Sequence, residues 1–405
     1  MVVNFALFAL LLSLPFQLGR HFWLKDSFVF GLKVDYLSPT FYLQDIFIFT
    51  LIIITFLKNY KKIFNLQNLV FSFLFLVFVY LNLRNATSPL LSLFTWLRVT
   101  ELILLGLVFV NWSEKVWQIL DQILPFIIIF ESFLGFGQML KQSSFNGFFW
   151  FLGERAFNIA TPGIARGSFL GRVFLRPYGT FSHPNSLAGF ILVSLILLLS
   201  KKKIGQLDKA ALILGSLLII ASFSRAALAA GVLAGFFYLL NHWRKVFWLK
   251  IFCLVFFIPL FFWPQLKTSP SLVARKDLAL VAFSLIRTKP LWGVGAGNFI
   301  LNLARIQPVW EWLFWLQPVH NIFLLIASEI GLTGFLALAA LFYFALRRTL
   351  QFKILNVKFS VLTALLAIIF TGIFDHYWLT LIQNQLLLAL VLSLSFSPDR
   401  AKMRQ

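Results

Sequence analysis

Val319-His320-Asn321-Ile322-Phe323-Leu324-Leu325-Ile326-Ala327-Ser328-Glu329-Ile330-Gly331-Leu332-Thr333-Gly334 opens an apolar run that continues to about residue 346. A run of that length suits a helix crossing a hydrocarbon core ~30 Å thick, which takes about 20 residues. It begins with an ionisable residue, His320, just after a loop rich in arginine and tryptophan. A histidine at the mouth of a membrane helix, facing basic loops, is a place for chemistry on an anionic lipid.

Outward from this stretch the same pattern recurs. The chain has 405 residues, 60% hydrophobic and 12% charged, with 51 phenylalanines. A soluble domain of this size needs no such apolar surface. Apolar segments fall at about 2–19, 40–57, 66–83, 91–110, 116–140, 185–200, 208–222, 225–241, 246–263, 319–346, 358–374 and 376–396. The expectation is an all-α polytopic membrane protein of about 12 transmembrane helices. The first segment lacks the basic start and small-residue cleavage site of a signal peptide and reads as a retained span.

Short basic loops set the orientation. Lys58, Lys61 and Lys62 form one cluster, Lys201, Lys202, Lys203 and Lys209 a second, and Arg244, Lys245 and Lys250 a third. Arg347, Arg348, Lys353 and Lys358 follow, and Arg400, Lys402 and Arg404 end the sequence. With about twelve spans all five clusters fall on one side, which makes that side, with both termini, cytoplasmic. The loop at about 20–39, with Arg20, Lys25 and Lys33, dissents mildly. Residues 1–405 read as a single integral membrane domain with two long external loops, about 141–184 and 264–318, carrying amphipathic helices.

The net charge of +21 belongs to these loops and to anionic lipid, so nucleic acid is not expected as a partner. The external loops are also basic, and the long-loop exemption from the positive-inside rule permits this without explaining it. An anionic ligand outside would explain it. Cys253, the single cysteine, allows no internal disulfide.

Several residues then draw attention. Pro318 suits a helix start, which would put His320 in the first turn, where the helix dipole and nearby arginines disfavour imidazolium and leave a neutral general base. Asn321 either orients substrate or caps the helix. Gly331 and Gly334 read as close-packing positions. Arg225 follows Ser222-Phe223-Ser224 in a tight turn after a short apolar run, where a guanidinium needs an anion and suits phosphate. Arg176 and His183 flank Pro177-Tyr178-Gly179-Thr180-Phe181 and could line the same cavity, with helix capping the simpler role for His183. Arg275 opens an amphipathic stretch in which Leu278, Val281, Ala282 and Leu285 share a helical face. It leads to Gly293-Val294-Gly295-Ala296-Gly297, a turn that follows no strand and so is no dinucleotide fingerprint. Trp310, Trp312 and Trp315 suit an interfacial belt or a sugar platform. Asp45, Glu101 and Glu131 are scattered acids without the pairing of a proton relay, and no metal-ligating cluster is expected.

Four signatures occur in order: Arg176-x-Tyr178-Gly179-Thr180-Phe181-x-His183-Pro184-Asn185; Ser224-Arg225-Ala226; Arg275 with the glycine turn ending at Phe299; and His320-Asn321-x9-Gly331-x-x-Gly334. Over about residues 170–345 the chain resembles the O-antigen ligase and polysaccharide polymerase superfamily. The resemblance implies a site on the outer face and a glycan donor on a polyprenyl diphosphate. It implies an acceptor hydroxyl on lipid A core, on a growing polysaccharide or, in related enzymes, on a protein. It casts His320 as the base, Arg225 and Arg275 as diphosphate ligands, and Arg176 and Arg287 as further candidates for the pocket. Such chemistry requires no cofactor or metal and should invert the anomeric carbon. A transporter or flippase is the rival class, and it would need functional acids in the bundle and tolerate loss of His320.

Overall fold

The computed structural model describes residues 2–63, 66–169, 171–241, 270–306 and 316–397. The expected ninth span, Cys253, the tryptophan trio and the basic clusters at 244–250 and 400–404 lie outside the described residues.

The chain is mostly helical, as its apolar periodicity requires. The helices are α1 (Val2–Leu12), α2 (Leu43–Ile63), α3 (Leu66–Asn85), α4 (Pro89–Asn111), α5 (Ser113–Lys141), α6 (Pro184–Leu198), α7 (Gln206–Ala221) and α8 (Arg225–Asn241). Then come α9 (Pro270–Thr288), α10 (Phe299–Ile306), α11 (Ile322–Glu329), α12 (Gly331–Leu350), α13 (Leu355–Phe374), α14 (Tyr377–Thr380) and α15 (Ile382–Phe396). Among the described residues four, α4, α5, α12 and α13, are long and apolar enough to cross a membrane by length and composition. Others, such as α1, α6 and α15, are apolar but shorter. A multi-pass membrane protein fits these helices, while the full set of about twelve spans goes beyond them.

The core forms around α6. Fourteen of its fifteen residues, all but Asn185, are buried, and a helix that is apolar all round belongs inside a bundle. It packs against α5, α7, α8, α13 and α15. Its core residues Phe190, Ile191 and Val193 share one apolar cluster with Leu365 and Ile368 of α13 and Leu387 and Leu390 of α15.

Two expectations change, and for the amphipathic stretch after Arg275 the choice between the membrane surface and the bundle is decided. The loops expected outside are not purely helical: residues 19–42 hold two small antiparallel sheets, Gly19–His21 with Thr40–Tyr42 and Phe28–Val29 with Leu32–Lys33. The first long loop carries a hairpin, Arg166–Phe169 against Arg172–Leu175, and a 3-10 turn over Gly147–Leu152. Extended pairs satisfy loop backbone groups where no helix runs. Second, the run from 319 is two helices. α11 ends after one short stretch, and Gly331 opens α12 at φ +84°. A Cβ at Gly331 would collide with the backbone of Leu291 and Trp292, so this glycine lets the loop cross the break rather than packing two spans. The amphipathic stretch, α9, lies against the bundle. Leu278, Val281, Ala282 and Leu285 are buried and join Leu325 of α11 in a second apolar cluster.

The scattered acids are structural ties. Asp45 of α2 and Glu101 of α4 both meet Arg98, at 2.6 Å each. Glu131 of α5 accepts hydrogen bonds from the Thr180 backbone N–H (3.0 Å) and hydroxyl (2.8 Å). Gln138, two turns further along α5, accepts from the Tyr178 and Gly179 N–H groups at 3.0 and 2.8 Å. The 176–181 segment is thus clamped onto α5.

Candidate active site

Helix ends far apart in sequence meet at one place. His320 stands two residues before α11, outside its first turn. Asn321 is the cap, its side-chain oxygen accepting from the Phe323 and Leu324 N–H groups at 2.8 and 2.9 Å. Asparagine suits this position because its short side chain reaches the unpaired amides of the first turn. His320 Nδ1 lies 3.2 Å from Oδ1 of Asp375, the residue that ends α13 in extended conformation. The His376 backbone N–H donates to the same oxygen at 2.9 Å. The Asn185 amide donates to Oδ2 at 3.0 Å, so both carboxylate oxygens are engaged. Burial pushes the Asp375 carboxyl upward, but His320, His376 and Arg275 outweigh it and hold it well below the usual carboxylate range. Asp375 is therefore an anion at neutral pH.

Asn185 connects this pair to Arg176. Arg176 Nη2 donates to Asn185 Oδ1 at 2.7 Å and its Nε donates to the Ser222 carbonyl at 2.5 Å. Burial lowers this guanidinium to about 10, and Arg275 and Arg225 push the same way, so Arg176 feels both. Arg275 donates to the Phe374 carbonyl at 3.0 Å, beside Asp375. Arg225 is the first residue of α8 and is exposed. The preceding turn reverses the chain through Phe223 at φ +52°, with the Ser224 N–H donating to the Ser222 hydroxyl at 3.2 Å.

The other candidates fall differently. His183 caps α6, its Nδ1 accepting from the Asn185 N–H at 3.1 Å. Burial, helped by Arg176, lowers it to about 3, so it stays neutral. Arg287 is exposed in the last turn of α9, about 18 Å along the helix from Arg275 at 1.5 Å per residue, and does not join the group. The glycine turn serves no external anion with the amides it shows bonded. Gly297 and Phe299 donate to the Glu329 carboxylate at 2.9 and 3.0 Å, and Gly295 to the Glu329 carbonyl at 2.9 Å. An internal carboxylate occupies the nest and ties the turn to the α11–α12 break.

Two residues at the site were missed from sequence, Asp375 and His376. The signal was an acid and a histidine side by side in the short gap between the last two apolar runs, which span counting puts on the same side as His320. His376 is buried, its Nδ1 2.8 Å from the Thr380 hydroxyl, and burial lowers it to about 3. Its ring lies 5.0 Å from that of His320 and 5.5 Å from Tyr36. His320, Asp375 and His376 each offer a ligand atom within 4.8 Å of the others, near enough to hold a metal ion. Three neighbouring guanidiniums make the place unfavourable for a dication and favourable for an anion.

Chemically, an imidazole whose Nδ1–H points at a carboxylate keeps its Nε2 lone pair to take a proton. Guanidiniums nearby are suited to oxygen anions, especially phosphates. Comparison with known proteins adds a family. Residues 210–339 match the family model described as O-antigen ligase. The matched stretch holds Arg225, Arg275 and His320; Arg176, Asn185 and Asp375 lie outside it. No curated protein matches the chain.

Proposed function

The match over residues 210–339 supports membership of the O-antigen ligase and polymerase superfamily, and on that premise we propose that the chain transfers a glycan from a polyprenyl diphosphate carrier to an acceptor hydroxyl. The observation that carries this reading is the His320–Asp375 pair set beside Arg176, Arg225 and Arg275. It combines a base with an excess of positive charge, which is what displacement of a diphosphate by a hydroxyl requires.

In this mechanism Asp375 holds Nδ1–H of His320 and stabilises the imidazolium that forms. Nε2 removes the proton from the acceptor hydroxyl as its oxygen attacks the anomeric carbon. The glycosidic carbon–oxygen bond to the diphosphate breaks, and the electrons stay on the diphosphate. Arg225 and Arg275 stabilise that charge. A direct displacement inverts the anomeric centre. The site faces the outer side of a bacterial inner membrane, since the helix ends that build it alternate with the lysine-rich loops. The acceptor is a lipid A core or growing polysaccharide hydroxyl. A protein acceptor would use the same groups.

The test is glycan transfer in membranes of a host lacking its own ligase or polymerase, with wild type and His320→Ala at matched expression. Wild type should transfer and His320→Ala should fall by about 10²–10⁴-fold, the worth of a general base, with EDTA without effect. Equal transfer by both would refute His320 as base, and loss with EDTA would turn His320, Asp375 and His376 into metal ligands. No transfer by wild type, together with carrier movement across vesicles, would favour the flippase.

A further inference from the structure

Arg176 carries two of its hydrogen bonds into the protein rather than toward a ligand. One runs from Nε to the Ser222 carbonyl in the turn before Arg225, the other from Nη2 to the Asn185 side chain. A guanidinium can only donate, so Asn185 must present its Oδ1 to Arg176. That leaves the Asn185 Nδ2 facing Asp375 Oδ2, where it is found at 3.0 Å. Arg176 thus decides which way the amide points, and the amide decides which oxygen of Asp375 remains for His320. Asn185 is also held by its own backbone, whose N–H donates to His183 Nδ1, and it sits in the first turn of α6, the most deeply buried helix of the bundle. This is a rigid base for a hydrogen-bonded chain four side chains long, Arg176–Asn185–Asp375–His320.

We infer that Arg176 and Asn185 are positioning residues for the His320–Asp375 pair, and that Arg176 works through the shape of its fork and not as a charge on the diphosphate. The inference rests on the reading of His320 as base. Without the Asn185 donor, Asp375 Oδ2 loses its partner and the carboxylate is free to turn, which moves Oδ1 away from Nδ1. A displacement of about 1 Å at a reacting group costs on the order of 10²-fold in rate. Lysine at 176 would keep the charge and lose the planar fork that reaches Ser222 and Asn185 together. Charge and geometry are therefore separable by one substitution.

The experiment uses the full chain reconstituted in nanodiscs, comparing wild type, Arg176→Lys, Asn185→Leu, Asn185→Asp, Arg225→Ala and His320→Ala. Turnover at saturating donor and acceptor, KM for donor, and direct binding of polyprenyl diphosphate are measured for each. Asn185→Asp is isosteric and keeps the acceptor for Arg176, so it stays informative if the leucine variant does not fold. Arg176→Lys and both Asn185 variants should lose about 10²-fold in kcat, with donor KM and diphosphate binding within about 2-fold of wild type. Wild-type kcat in Arg176→Lys, or diphosphate binding weakened as far as in Arg225→Ala, would overturn the inference while leaving the transferase reading standing. Undiminished turnover in His320→Ala together with unchanged binding in Arg225→Ala would remove His320 as base and Arg225 as diphosphate ligand, and the inference with them.

Discussion

Two polar clusters sit in this bundle, and they differ in the sign of their charge balance. Arg98 meets two carboxylates, Asp45 and Glu101. It also donates to the Thr40 carbonyl at 2.8 Å and lies over the Tyr42 ring at 5.3 Å. Acceptors from both helices and from the strand before α2 meet this one guanidinium, and the cluster ties α2 to α4 and to the loop before α2. At the other cluster Asp375 is the carboxylate felt by Arg176, His183 and His376, against three arginines. A single cation held between two carboxylates is glue. A surplus of positive charge attracts a further anion. That sign of surplus, more than the presence of arginine, sets the second cluster apart.

Three substitutions break or sharpen this contrast. The largest effect is expected at Asp375→Asn, which keeps shape but lets the amide present the wrong group to His320. Transfer should drop by about 10³-fold or more, as a misassigned tautomer does in comparable pairs, while the protein stays folded. Turnover normalised to folded protein, read beside its melting temperature, checks this. Next comes Arg98→Ala, which leaves Asp45 and Glu101 facing each other without a cation. It should cost about 3–5 kcal/mol of stability, seen as a lower melting temperature, with turnover per folded molecule unchanged. A catalytic loss without a stability loss would mean the Arg98 cluster also serves the reaction. The smallest effect is expected at Arg287→Ala. Exposed and about 18 Å along α9 from Arg275, it should change neither donor KM nor kcat by more than about 2-fold. A large rise in donor KM would show that the carrier extends along α9.

Legibility in the sequence followed the range of the signal. Apolar runs found α4 and α5 nearly to their ends, because span length is a local demand of the bilayer. The buried face of α9 was readable from helical spacing. His320 and Arg225 stood out as ionisable residues beside apolar runs. The break at Gly331 was hidden, because its cause is Leu291, forty residues away, and not the local sequence. For His183 and Asn321 the sequence allowed a cap, and the hydrogen bonds show that both cap helices. Asp375 escaped because a single acid in a short gap carries no periodic signal.

By itself the sequence determined that this is a helical membrane protein with long basic loops and an ionisable residue at the mouth of a helix. Those properties come from apolar length and charge placement, which are read along the chain. Only the tertiary structure decided which carboxylate meets His320, which arginines gather around it and which acids merely tie helices together. Each of those choices joins residues separated by tens to hundreds of positions, such as His320 with Asp375 and Asn185 with Asp375. They are set by which helix ends the packing around α6 brings side by side.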